Sequence, residues 1–140
     1  MIIRIKKTNP NATLPAYAHP GDAGMDLFCV EEVALKGGER AKVPTGIAME
    51  IPDGYVGLIW DKSGIAMNMG VKVLGGVVDC GYRGEVIVGL VNLSDETIVF
   101  EQRDKVAQMI IQKKEDVEIK EVKELSNTSR GKNGFGSTGK

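Results

Sequence analysis

The sequence predicts an all-β protein, a sandwich or barrel of about ten short strands. Three observations carry this. Apolar, β-branched runs of strand length recur along the chain, as in Val43 through Ile51, Tyr55 through Trp60 and Val86 through Val91. Turn signals separate them at near-regular spacing, Pro52-Asp53-Gly54 the strongest. Helical periodicity is almost absent. At 140 residues, 42% hydrophobic and 26% charged, the chain suits one soluble globular domain with a real core.

Taken in order, Ile3 and Ile5 alternate with Arg4 and Lys6, giving a first strand with one buried face. Residues 8–24 carry Pro10, Pro15, Pro20, Gly21 and Gly24 and read as a surface loop. Ala23 through Val30 is a strand with an acid, Asp26, among apolar neighbours; Val33 and Leu35 continue an edge before the Gly37-Gly38 turn. Asp61 through Met67 is the one place for a short helix, with Ser63 as its cap. Val71 through Leu74 is a further strand. Val77-Val78-Asp79 and Val86 through Val91, flanking Gly81 and Gly84, read as a hairpin. Ile98 to Phe100 and Val106 to Ile111 follow, and Val117 through Lys120 alternates once more. Residues 1–125 thus form the β domain. Residues 126–140 are rich in Gly, Ser and Asn and form a mobile tail by composition.

Charge and cysteine usage narrow the function. A net charge of −1 gives no global field toward nucleic acid or a membrane surface. The Met1 to Lys6 start is too short and too charged for a signal sequence or membrane span. Cys29 and Cys80 have no metal or redox spacing and suit free thiols in a reducing cytoplasm. His19 is the only histidine, which sets aside a histidine-based triad or a zinc site.

Four groups of residues offer chemistry. In the hairpin, Asp79 and Tyr82 face one small space, and Gly75-Gly76 permits close approach to the backbone; the acid alternatively bonds turn amides only. Lys62-Ser63-Gly64 at a helix start offers amides and a cation to a phosphate, or simply caps the helix. Arg103 and Lys105 share one strand face, while Gln108 lies between Val106 and Ile110, where an amide requires a partner. In the tail, Arg130, Lys132, Ser137 and Thr138 surround Phe135 with glycine amides. That inventory suits a flat base and phosphates, the tail closing as a lid, or it is a flexible terminus with one aromatic ring.

Five blocks in this order resemble the trimeric dUTPase family: Ala23 to Leu27, Lys62 to Ala66, Gly76 to Asp79 with Tyr82-Arg83-Gly84, Asp104 to Ile110, and Arg130-Gly131 through Gly139. The resemblance implies a distorted jelly roll assembled as a homotrimer, with sites shared among three chains. It implies hydrolysis of dUTP to dUMP and diphosphate with Mg2+ held mainly by the triphosphate, keeping uracil out of DNA and supplying dUMP for thymidylate synthesis. Asp79 then matches the acid that activates the attacking water. Tyr82 matches the ring against the deoxyribose, and the backbone of Gly76, Val77, Val78 and Ile87 the part that reads uracil. Lys62, Ser63, Gly64 and Gln108 match phosphate-binding positions, and Asp26 an acid supporting the metal through water. Arg130 matches a γ-phosphate ligand, Phe135 the ring over uracil, and Gly136, Ser137 and Thr138 the terminal-phosphate cradle of a lid over 126–140.

Departures from the family pattern are Lys62 where arginine is usual, Gly81 where an acid often stands, Arg103 and Lys105 where glycine and arginine are common, and Asn133 where glycine is usual. The same-fold alternative, dCTP deaminase or the bifunctional deaminase/dUTPase, needs a glutamate at a position that falls on Gly89. A catalytically idle dUTP binder would have no use for Asp79.

Overall fold

The computed structural model describes residues 1–134. Ten strands and one helix follow in order: β1 (Arg4–Lys7), β2 (Met25–Phe28), β3 (Val33–Leu35), β4 (Arg40–Glu50), β5 (Tyr55–Trp60), α1 (Ser63–Met69), β6 (Val71–Leu74), β7 (Val77–Asp79), β8 (Glu85–Asn92), β9 (Ile98–Phe100) and β10 (Lys105–Lys113). One sheet has the order β1-β4-β8-β6, a second β2-β10-β5-β7, and β3 pairs with β9. Every ladder is antiparallel. A single core draws Val43, Ile47, Val88 and Leu90 from the first sheet and Leu27, Ile59, Val78 and Met109 from the second. The arrangement is a sandwich, as the strand pattern predicts, and jelly-roll-like, as the family resemblance implies.

β8 shows why the pattern works. Val86, Val88, Leu90 and Asn92 alternate inward along it. The buried amide of Asn92 is fully used: it donates to the carbonyls of Leu35 (2.9 Å) and Glu96 (2.7 Å) and accepts from the Ser94 amide and hydroxyl. β4 carries Pro44 at a register shift between Pro44 and Ala48, where a missing donor is tolerated. There the Gly46 N–H finds the Glu85 carboxylate at 2.7 Å and the Thr45 hydroxyl donates to the Val86 carbonyl at 2.6 Å.

Four expectations are corrected. β7 and β8 are not a hairpin: β7 pairs with β5 (Val56↔Asp79, Leu58↔Val77), whereas β8 pairs with β4 and β6. Residues 80–84 therefore cross from one sheet to the other. Local β-branched runs encode strands, not partners. Ser63 does not cap α1; Lys62 is the N-cap, without a side-chain bond. The entry to α1 is held by Asp61, whose carboxylate accepts the Val73 N–H and the Lys72 ammonium, each at 2.6 Å. Val117 through Lys120 forms no strand, and Val117 and Ile119 are exposed. Among the described residues no sheet takes them up as an added strand.

The fourth correction concerns Arg103 and Lys105. Arg103 stands in a turn, not on a strand, and a register shift between Lys105 and Ala107 places both Val106 and Ala107 inward. The two cations therefore share no strand face, and Gln108 lies opposite the buried Val106–Ala107 pair.

Candidate active site

The clusters are arranged along β5. At its Trp60 end, one row runs across three strands: Asp26 on β2 opposes Gln108 on β10, which opposes Trp60 on β5. Asp26 is only 2% exposed. Its Oδ2 accepts from the Lys105 ammonium at 2.7 Å, and its Oδ1 from the Lys62 ammonium. Burial works to raise the pKa of this carboxyl, but the hydrogen bonds and charge of the two lysines more than offset it, so it lies below the usual aspartate value. Asp61 follows the same logic: burial opposes ionisation, and the Lys72 ammonium with the Val73 amide reverses it.

Gln108 has the partner its position requires, because its Nε2 donates to the Asp61 carbonyl at 2.8 Å. Gly24 leaves the space for it; a Cβ there would stand 2.5 Å from the Gln108 Oε1. In α1 the first helical bond runs from the Ala66 N–H to the Lys62 carbonyl (2.9 Å). The amides of Ser63, Gly64 and Ile65 therefore have no partner within the helix. Lys62, Ser63, Gly64, Asp26 and Gln108 thus come together, and they gather the dense polar chemistry of one half-site.

Asp79 and Tyr82 lie at the other end. Asp79 pairs with Val56, four positions from Trp60 along β5, roughly 13 Å away at the rise of a strand. The Asp79 side chain is exposed, and among the described residues no donor bonds its carboxylate; its backbone carbonyl accepts the Tyr82 N–H at 3.1 Å. The turn-capping reading of that side chain therefore does not hold. Tyr82 is 47% exposed and donates its hydroxyl to the Glu85 carbonyl at 3.0 Å. Gly84 makes this possible, since a Cβ there would meet the Tyr82 Oη at 2.4 Å. Val77 shares the exposed face with Asp79, Val78 is buried, and Ile87 is partly exposed on β8.

Gly76 has a structural reason of its own. At φ +111° its Cβ would lie 2.6 Å from the Ile59 carbonyl, and its own carbonyl accepts the Ile59 N–H at 2.7 Å. The close approach foreseen there is made by β5. A cleft of about 170 Å³ opens beside it, lined by Ile59, Trp60, Lys72 and Val77 among others.

Arg130 lies in a turn closed by its own backbone, its Nε donating to the Asn133 carbonyl at 3.0 Å. Phe135, Gly136, Ser137 and Thr138 lie outside the described residues. Sequence reasoning singled out Lys105 but missed its role as the second cation on Asp26. That pairing follows from the register of β10 against β2, which a bulge between Lys105 and Ala107 shifts. Among the described residues no cluster of three or more His, Cys, Asp or Glu is placed to hold a metal ion. No helix among them is long and apolar enough to cross a membrane.

Fold and side-chain inventory together define a jelly-roll protein suited to an anionic ligand. Comparison with known proteins sharpens this. The dUTPase family profile matches residues 10–139. The deoxyuridine 5'-triphosphate nucleotidohydrolase of Hydrogenobaculum sp. is 48% identical, with 99% of each chain covered. That of Thermobifida fusca is 49% identical over 98% of this chain and 78% of its own. Among solved structures, a variant of the Staphylococcus bacteriophage 80alpha dUTPase with dUpNHpp superposes with a TM-score of 0.91 at 30% identity, covering 99% of this chain and 98% of that one. The chain belongs to the dUTPase family, and the enzyme class that goes with it is dUTP diphosphatase.

Proposed function

We propose that the chain hydrolyses dUTP to dUMP and diphosphate, and that Asp79 activates the attacking water. The observation that carries this reading is the carboxylate of Asp79, exposed and unbonded among the described residues, with its backbone carbonyl bonded to the Tyr82 N–H. An acid left without a donor keeps its lone pairs for a water. Tyr82, its ring fixed by the Glu85 carbonyl, lies against the deoxyribose, and the backbone from Gly76 to Val78 with Ile87 reads the uracil edge. Lys62, the amides of Ser63 and Gly64, and Gln108 take the phosphates.

The two half-sites stand at opposite ends of β5 within one chain, and in this reading each nucleotide takes Asp79 from one copy and Lys62 from another. The family's homotrimer with shared sites is the assembly that would do this. Residues 126–140 close over the ligand as a lid, with Arg130, Phe135, Gly136, Ser137 and Thr138 on nucleotide and phosphates. Magnesium fits as a substrate-borne ion: the described residues offer no carboxylate cage, and Mg2+ is commonly held by few carboxylates plus phosphate oxygens. Bound with the triphosphate, it offsets phosphate charge. Asp26 is the acid we assign to its water shell, a role that requires Lys62 or Lys105 to release one of its oxygens. A phage phi11 dUTPase structure described with a structural Mg(II) ion is consistent with magnesium in this family.

Deamination of dCTP lacks its acid here: Gly89 lies in β8, where a Cβ would stand 2.9 Å from the Leu74 carbonyl. Incubation with dUTP or dCTP and Mg2+ in 18O-water tests the reading. Diphosphate is expected from dUTP only, with the label in dUMP and no ammonia from dCTP. Label in the diphosphate would remove attack at the α-phosphorus.

A further inference from the structure

Arg103 is the one non-glycine residue among the described residues with a positive φ, at +74°. It is the third residue of the turn Glu101-Gln102-Arg103-Asp104, closed by the Asp104 N–H on the Glu101 carbonyl at 2.9 Å. That is the position where turns of positive φ take glycine. An unbranched side chain there carries a steric penalty that glycine would avoid. The surroundings fix the conformation. The Asp104 carboxylate accepts the Glu101 N–H at 2.8 Å, the Arg103 N–H bonds the Cys29 carbonyl at 2.9 Å, and the Gln102 side chain donates to the Val30 carbonyl at 2.8 Å. A strained residue held this firmly is a place to look for function.

The side chain lines a groove of about 500 Å³ between α1 and the 99–105 segment, shared with Lys62 and Lys105. Lys62 and Lys105 are both drawn onto Asp26, whose single negative charge they exceed. Among the described residues the Arg103 guanidinium has no carboxylate or carbonyl partner, and it is exposed. The groove therefore holds an unengaged fork of donors beside two lysines, of which Lys62 already belongs to the phosphate half-site. A guanidinium binds phosphate oxygens in a way a lysine cannot reproduce.

We propose that Arg103 is a further substrate-binding residue, a ligand for the phosphates of the nucleoside triphosphate furthest from the sugar. The inference rests on the dUTP reading above. Lys105, two residues on, holds Asp26, so Lys62 can leave Asp26 for the phosphates while Arg103 takes their distal charge.

Two variants test this against a purely structural turn. Arg103→Gly removes both the guanidinium and the backbone strain, whereas Arg103→Gln removes the charge and keeps the strain. Both are expected to raise KM for dUTP roughly tenfold, the scale of one charge-assisted hydrogen bond, with kcat within about twofold. Affinity for dUMP, which lacks the distal phosphates, should not move in either. Arg103→Gly alone should raise the melting temperature, by about 3 °C. An unchanged KM in both variants overturns the proposal, as does an equal loss of dUMP affinity or a loss confined to Arg103→Gly. Failure of the underlying reading shows separately, as absence of diphosphate release from dUTP by the wild-type chain.

Discussion

The two ends of β5 are built on opposite principles. At the Trp60 end, Asp26 is buried and saturated: two lysines occupy its oxygens, and Gln108 is tied to the Asp61 carbonyl. At the Val56 end, Asp79 is exposed with a bare carboxylate, and Tyr82 is held only by its own loop. A saturated cluster stores charge and geometry within one chain, and burial makes it part of the fold. A bare acid contributes nothing to stability and everything to whatever is brought to it. The contrast separates residues that a substitution would unfold from those it would only silence.

The sharpest way to break the comparison is to disable each end in a different chain. Asp79→Asn should reduce dUTP turnover about a thousandfold, within the range for losing a general base, and leave the melting temperature unchanged. Lys62→Met should be similarly impaired through lost phosphate binding. When the two are co-expressed, assemblies in which a site takes Asp79 from one chain and Lys62 from another regain intact sites. Random mixing predicts about a quarter of wild-type activity. If both residues serve from one chain, no site is restored and the mixture stays inactive.

Asp26 gives the next effect, on stability. Asp26→Asn removes the negative charge and one of the two oxygens that accept from ammonium groups; these lie partly exposed and can return to water, so the loss is about 2 kcal/mol. The pH dependence has a fixed sign. The folded pKa of Asp26 is depressed, so its contribution is complete above the unfolded value of about 3.9 and is lost as pH falls through the lower folded value. Urea titrations from pH 6 to pH 2 should show the wild type converging on the Asn variant below about pH 3.9. A constant gap across that range would mean the two lysines do not hold the carboxyl ionised.

How much of this was legible follows from range. Strand positions were readable because apolar runs and turns such as Pro52-Asp53-Gly54 are local, and each of the ten strands of the structure overlaps a stretch read as strand. The assignment of β7 and β8 to different sheets was not readable, because Val78 and Val88 are equally apolar and nothing in either names its partner. The Gln108 partner was foreseen as a need, since a half-buried amide requires one, but the Asp61 carbonyl was not nameable from forty-seven residues away. Lys105 on Asp26 was hidden by a bulge that breaks the alternation of β10. The left-handed Arg103 contradicts its own residue type, so only the folded backbone reveals it.

Two glycines sharpen the same comparison at its finest scale. Gly76→Ala puts a Cβ 2.6 Å from the Ile59 carbonyl at a φ of +111°. The obstacle is backbone in a ladder and the conformation itself is disfavoured, so the expected loss is about 3 kcal/mol. Gly24→Ala meets instead the Gln108 side chain, its Oε1 at 2.5 Å and its Cβ at 3.1 Å. A side chain moves where a carbonyl in a sheet does not, and the stability loss should be about 1 kcal/mol. The displaced amide would leave the Asp61 carbonyl, however, and with it the phosphate half-site. Gly24→Ala should therefore raise KM for dUTP a fewfold with a clearly smaller fall in melting temperature than Gly76→Ala. Equal melting losses in the two variants would mean that Gln108 is as rigid as the sheet it sits on.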